Sequence, residues 1–191
     1  MGFESLPGSF AMPRVLLALL LLLALAGGLA ACGGDDDASG ESAATPIPVP
    51  QDPEADIRRI VEGLGKDTSS KPEIAAPEGS PPAELEKRDI VPGKGPKARK
   101  GDNLAMQYVG VSWSTGEQFD ASWDRGKEPF TFELGAGGVI PGWDEGLVGM
   151  REGGRRLLVI PAAKGYGPQG QPPDIGPNET LIFVVDLKKI A

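Results

Sequence analysis

The sequence predicts an α+β domain: an antiparallel sheet with one short helix packed across it, preceded by a disordered tether. Three observations predict it. Alternating and β-rich apolar runs recur from about residue 71 to the C-terminus. One segment among them, Pro141 to Met150, has helical spacing instead. The residues before 71 are acidic and punctuated by Pro and Gly. The composition sets further bounds. Of 191 residues 28 are Gly and 19 Pro, enough to imply that part of the chain is linker. There is no His, which excludes His-dependent nucleophilic catalysis, imidazole acid–base work and the common His-containing zinc sites. With one Cys, no intrachain disulfide or CxxC pair can form. No metal or cofactor is expected.

The N-terminus reads as an export signal. Residues 15–26 are a nearly pure apolar run of about a dozen residues, the length of a signal-peptide core and short of the roughly 20 a spanning helix needs. Leu29-Ala30-Ala31-Cys32 closes the run, with Gly33-Gly34 after it. The tetrapeptide resembles the lipobox of bacterial lipoproteins, in which the Cys is diacylated on sulfur and becomes the acylated N-terminus. That resemblance implies a signal peptide over 1–31 and lipidation at Cys32. It implies an exported chain, anchored by its N-terminal lipid to the extracytoplasmic face of the bacterial membrane. The residues alone leave open a plain secretory signal with an unrelated Cys, or an anchor helix. The stretch before the run holds one basic residue and the acidic Glu4, so Met12-Pro13-Arg14 would make a more ordinary start.

Residues 32–70 read as a flexible tether. They carry a net charge of −6 out of −8 for the whole chain. Asp35-Asp36-Asp37 and Thr45-Pro46-Ile47-Pro48-Val49-Pro50 favour an extended, solvated chain. Within it Ile57, Ile60, Val61 and Leu64 fall at helical spacing, either a short amphipathic helix or a transient one in a linker. The folded domain is placed at 71–191, with a net charge of −2. That near-neutral balance gives no reason to expect a nucleic-acid partner.

Inside the domain, Leu104–Val109 is bounded by Gly101-Asp102 and Gly110 and reads as a strand. Phe130–Leu134 alternates cleanly, with Phe130, Phe132 and Leu134 on one face. Pro141 then opens the helical segment, with Asp144 and Glu145 in its first turn and Trp143, Leu147 and Met150 along one stripe. Its glycines are poor helix formers but allow close approach to a sheet. Arg155–Ile160 and Thr180–Leu187 are longer β-rich runs, and Asp186, Lys188 and Lys189 predict that the last strand leaves the core at its end.

Six pieces in order resemble the FK506-binding-protein (FKBP) type of peptidyl-prolyl cis–trans isomerase. They are Tyr108-Val109-Gly110, Phe119-Asp120-Ala121-Ser122, Pro129-Phe130-Thr131-Phe132, Val139-Ile140-Pro141-Gly142-Trp143, Gly165-Tyr166-Gly167 and Thr180-Leu181-Ile182-Phe183. No piece is specific alone; the ordered set is. The resemblance implies a bent antiparallel sheet wrapped around one short α-helix, with an apolar pocket between them. Carried over by position, Trp143 floors the pocket and Tyr108, Phe119, Phe130, Val139, Ile140, Tyr166 and Phe183 wall it. Asp120 matches the acid beside the pocket, with Arg125 five residues on, and the Ile140 N–H would donate to the bound carbonyl. Phe132 is shared between core and wall. Tyr108, Phe119, Asp120, Ile140, Trp143 and Tyr166 are thus the candidate catalytic residues; Arg125, Phe130, Phe132, Val139 and Phe183 are the candidate substrate-binding ones. Trp123, between Asp120 and Arg125, is either a rim contact or an anchor for its loop. The loop from Gly165 to Thr180 is too short for the inserted chaperone domain of some bacterial relatives.

The chemistry fits the composition. An X-Pro bond isomerises over a barrier near 18–20 kcal/mol because twisting breaks amide resonance. No nucleophile, metal or proton carrier is needed to lower it; a dry aromatic cup and well-placed donors are enough. The expected partners are Xaa-Pro segments of exported polypeptides and macrolide inhibitors of the FK506 class, bound by a monomer. The alternative is a non-catalytic Pro-motif binding or assembly module built on the same cup.

Overall fold

Two ten-residue strands, β2 (Asn103–Ser112) and β6 (Leu181–Ile190), pair antiparallel from Leu104–Ile190 to Ser112–Leu181 and form the centre of the sheet. The computed structural model describes residues 52–126 and 128–191, which lie in one unit, Ala44–Ala191. Its other elements are α1 (Pro53–Gly63), β1 (Glu86–Val91), β3 (Gln118–Ala121), β4 (Phe130–Glu133), α2 (Pro141–Gly146) and β5 (Arg155–Ile160). The strand order is β1-β5-β6-β2-β3, and every pairing is antiparallel. β3 and β4 share one edge of β2: β3 pairs Val109–Val111 and β4 pairs Asn103–Met106. Between them the chain leaves the edge as a 3-10 turn, Ser122–Arg125. Bulges in β2–β6 and β2–β3 break the register, as in strands that bend. This is the expected α+β fold.

The alternation of side chains divides the interior in two. Leu158, Ile160, Leu181, Phe183, Val185, Met106 and Tyr108 face α2, whose Trp143 packs on them with Leu147 from the turn after it. Leu157, Val159, Ile182, Val184, Val109 and Val111 face the other way. Strands buried on both faces read as unbroken apolar runs, which is why β5 and the first half of β6 show no polar alternation. β1 and β3 give no such signal: β1 is a charged edge strand, EKRDIV, and β3 has four residues.

Over 53–70 the structure differs from the flexible tether expected at 32–70. α1 covers the second face, with Ile57 and Ile60 each 1% exposed and Leu64 beside them. Asp52 caps it by accepting the Glu54 N–H at 3.0 Å, and Pro53 occupies its first turn. The segment after it is also fixed. Arg155 makes a two-pronged pair with Asp186 (2.6 and 2.7 Å), both side chains 1% exposed. Its remaining N–H groups go to the carbonyls of Gly65 (2.7 Å) and Ser70 (2.8 Å). Asp56 accepts N–H bonds from Gly79 (2.7 Å) and Glu78 (3.2 Å) and one from Arg59 (2.5 Å). The acidity that suggested a solvated chain is therefore partly structural, and the domain begins at α1 rather than at Lys71. The readings for residues 1–31, Cys32 and the tether as far as residue 51 lie outside the described residues.

Two outcomes test this boundary. Ile57→Ala and Ile60→Ala should each lower the free energy of unfolding by about 2–5 kcal/mol in urea titrations, as core truncations do; a solvated tether would leave the midpoint unmoved. Burial alone would raise the Asp56 pKa, but the bonds from Arg59, Gly79 and Glu78 outweigh it and hold the carboxyl below its ordinary 3.8. Its contribution is then present above pH 3.8 and lost as pH falls through the lower folded value. Asp56→Asn should be less stable at neutral pH and flatten that acid limb.

Candidate active site

The cup forms where α2 crosses the sheet. Pro141 lacks an N–H and suits the first turn; Asp144 in that turn accepts the Gly135 N–H (2.7 Å) and the Gly137 N–H (3.0 Å). This ties the 134–138 loop to the helix start and sets Val139 and Ile140 at the rim. A Cβ on Gly142 would lie 2.4 Å from Ile160, so glycine lets α2 sit directly on β5. The helix is shorter than its apolar stripe suggests. Gly149 takes a positive φ of 79°, and Leu147 and Met150 continue the buried stripe in the turn after α2.

Trp143 lies at the bottom, 4% exposed. Tyr108 and Phe183 meet it edge to face, each with ring centroids 5.2 Å away, and Phe119 meets Phe183 likewise at 5.4 Å. A Cβ on Gly110 would stand 2.6 Å from Phe119 and 2.8 Å from Phe183. Gly110 is thus the one position on β2 that makes room for both rings. The recess, of about 180 Å³, is lined by Tyr108, Phe119, Asp120, Phe130, Gly138, Val139, Ile140, Trp143, Tyr166 and Phe183.

One wall is polar. The Tyr108 hydroxyl donates to Asp120 at 2.5 Å and accepts from Arg125 at 2.6 Å, and Arg125 also donates to the other Asp120 oxygen. The guanidinium lies 5.7 Å from the Tyr108 ring centroid. Burial, reinforced by the Asp120 hydrogen bond, pushes the Tyr108 phenol up to about 12. Burial, with the Asp120 charge adding to it, also raises Tyr166. The phenols thus stay protonated at neutral pH, and the polar wall is a fixed set of dipoles.

All but two of the candidate residues line the recess. Arg125 stands behind Asp120 and Tyr108. Phe132 stacks on Phe130 (5.7 Å) and packs against Trp143 (5.6 Å) from the core side. Trp123 anchors its loop: it packs in the cluster on the opposite face, with the Lys188 ammonium 5.2 Å from its ring centroid. Sequence reasoning missed Gly138, Gly110 and Asp144. The signal for the first was the Gly135-Ala136-Gly137-Gly138 run, and for Asp144 an acid in the helix's first turn, read only as a dipole partner. The Ile140 N–H has no acceptor among the described residues.

An aromatic cup with one polar wall has the shape and chemistry to take an apolar ring and the amide attached to it. The comparisons agree. Residues 95–188 match the family model described as FKBP-type peptidyl-prolyl cis-trans isomerase. An FK506-binding protein of Streptomyces anulatus is 56% identical over 118 residues, 61% of this chain and 94% of that protein. A probable FK506-binding protein of Corynebacterium glutamicum is 45% identical over 117 residues, 61% of this chain and 96% of that protein. The crystal structure of AtFKBP13 superposes with a TM-score of 0.53 at 37% identity, over 58% of this chain and 95% of that one. The chain belongs to the FKBP-type peptidyl-prolyl cis-trans isomerases.

The phenol supplies a pH signature. Below pH 10 both folded and unfolded chains keep the Tyr108 proton; between 10 and about 12 only the folded chain does. Unfolding therefore releases a proton in that window, and stability falls as pH rises through it. Tyr108→Phe should remove that part of the alkaline slope in denaturant titrations. Gly110→Ala should cost about 1–3 kcal/mol of stability, because its methyl overlaps two rings.

Proposed function

We propose that this isomerase turns Xaa-Pro bonds of exported polypeptides at a membrane surface. The mechanism is non-covalent stabilisation of the twisted amide. The observation that carries the mechanism is the complete aromatic cup closed by the Tyr108–Asp120–Arg125 wall. The prolyl ring sits on the Trp143 floor between Tyr108, Phe130 and Phe183, with Phe119 and Tyr166 at the mouth. The Ile140 N–H donates to the substrate carbonyl next to the ring. As the amide twists it loses resonance and with it part of the charge separation that water solvates, so a dry cup with fixed dipoles favours the twisted state over the planar ground states. Asp120 and Arg125 hold Tyr108 in place, and Val139 closes the rim. The same cup suits macrolides of the FK506 class, which should inhibit.

The lipobox-like Leu29-Ala30-Ala31-Cys32 supports export and anchoring through lipid on Cys32. With α1 docked, the linker from Cys32 to the domain is about 20 residues. A flexible coil of that length would span roughly 25 Å, which would keep the domain within about its own diameter of the lipid. Two acyl chains give stable anchoring where one is marginal.

Trp143→Ala and Phe119→Ala should each lower kcat/KM on Xaa-Pro peptides at least about tenfold, a loss of roughly 1.4 kcal/mol of transition-state stabilisation, in a protease-coupled assay. Folded variants with unchanged turnover would place the chemistry elsewhere. Cys32→Ser should release the chain from salt-washed membranes or block its processing. Mass spectrometry that finds an unmodified Cys32 after signal removal would end the anchoring reading and leave the isomerase untouched.

A further inference from the structure

The chain is acidic, and residues 52–191 alone carry −4. Yet one end of the sheet is strongly cationic. The loop between β1 and β2 brings Lys94, Lys97, Arg99 and Lys100; the turn before β5 adds Arg151; the end of β6 adds Lys189. All six are exposed, and none takes part in an ion pair among the described residues.

These segments are held to one another. Ala98 N–H donates to the Met150 carbonyl at 2.8 Å, Gly95 N–H to Glu152 at 3.0 Å and Glu152 N–H to Pro96 at 3.0 Å. Arg151 Nη1 donates to the Gly95 carbonyl at 2.9 Å, and Asn103 and Ala191 exchange both backbone bonds. Lys97, Arg99 and Arg151 then line one recess of about 420 Å³ with Pro96, Asp102 and Ile190. Four acids lie nearby: Asp102 accepts the Arg99 N–H at 2.7 Å and Glu152 the Ile190 N–H at 2.8 Å, Asp89, paired with Arg156, shares a second recess with Lys97 and Arg151, and Glu133 stands opposite Asn103 across β2 and β4. Counting all four, the plate carries +2, and the rest of residues 52–191 carries −6.

We infer that this basic plate is a second membrane contact, which binds the headgroups of anionic phospholipids and orients the anchored domain with its cup away from the bilayer. The inference rests on the membrane-surface reading above. Phosphate headgroups match a recess lined by two arginines and a lysine, and several exposed cations near an anionic surface add their attractions. Attraction of this kind fades within about 8–10 Å at ordinary salt, so it needs a tether that keeps the domain close. The acidic remainder of the domain is repelled by the same surface, which gives the orientation a sign. Tyr108 lies five residues along β2 from Asn103, about 17 Å up the strand from the plate.

The test uses the chain from residue 32 carrying Cys32→Ser, which keeps every described residue and has no lipid of its own. It should sediment with vesicles of mixed phosphatidylcholine and phosphatidylglycerol at low salt, not with phosphatidylcholine alone, and added salt should release it. Lys97→Glu, Arg99→Glu and Lys100→Glu together should weaken that binding roughly tenfold or more. Peptide turnover should stay unchanged, since none of the three lines the cup; Lys97→Arg with Lys100→Arg should keep both properties. Equal binding to both vesicle types, undiminished binding by the triple variant, or capture by duplex DNA without binding to anionic vesicles would each overturn the inference. None of these outcomes touches the isomerase reading, which turnover reports separately, or the lipid on Cys32, which this chain lacks.

Discussion

Everything in this domain depends on a sheet whose central strands are apolar on both sides. β5 is buried along its whole length and β6 through Leu187. A sheet with only one cover would leave Leu157, Val159, Ile182 and Val184 in water. Two helices meet the need from opposite sides, and they do so differently. α1 lays a continuous stripe of Ile57, Ile60 and Leu64 over its face. α2 is a six-residue helix, too short to cover the other face, and the uncovered part beside it is the cup. The site is thus the unfilled portion of a core, walled by residues that would otherwise belong to it.

Close packing makes that gap rigid. Gly142 brings α2 against Ile160, and Gly110 lets Phe119 and Phe183 lean over β2. The rings then meet edge to face around Trp143, which fixes their planes as well as their positions. The polar wall is fixed in the same way. Arg125 spans Asp120 and Tyr108, and the 3-10 turn that carries Arg125 is held from below. Lys71 pairs with Asp124 at 2.6 Å, and Trp123 is half-buried with the Lys188 ammonium over its ring. The N-terminal segment therefore supports the cup's polar wall through the turn between β3 and β4, although it lies outside the family match at 95–188.

The sheet and the cup were legible in the sequence for different reasons. β2, β4, β5 and β6 show in their apolar runs, and α2 in its Pro start and its stripe. The cup was legible only through an ordered resemblance, since isolated aromatics at strand spacing read as core. β1 was invisible because an edge strand with Glu86, Lys87, Arg88 and Asp89 carries the composition of a loop. The boundary at α1 was missed because charge was averaged over 32–70. Asp56 and Asp67 belong to that charge, but Asp56 is buried against Gly79 and Asp67 caps the turn at Ser69. The clamp that holds this segment, Arg155 on Asp186, Gly65 and Ser70, spans up to 90 positions and leaves no local trace.

Averaging hid the basic plate for the same reason. A net charge of −2 over 71–191 argues against a polyanionic partner only if the charges are mixed in space. Backbone hydrogen bonds between the β1–β2 loop, the turn at Arg151 and the C-terminus instead gather cations from three parts of the chain. The cations outnumber the acids there, whereas Glu117, Asp120, Asp124, Asp174 and Glu179 surround β3 and the flap after Tyr166, beside the cup. A domain polarised in this way gains attraction to an anionic surface from one end and repulsion from the other. The conformational entropy lost on orienting would be small for a chain already confined by the proposed anchor, so few cations would suffice. The strand direction that separates cup from plate is then also the direction along which a tethered isomerase would present its site to a client.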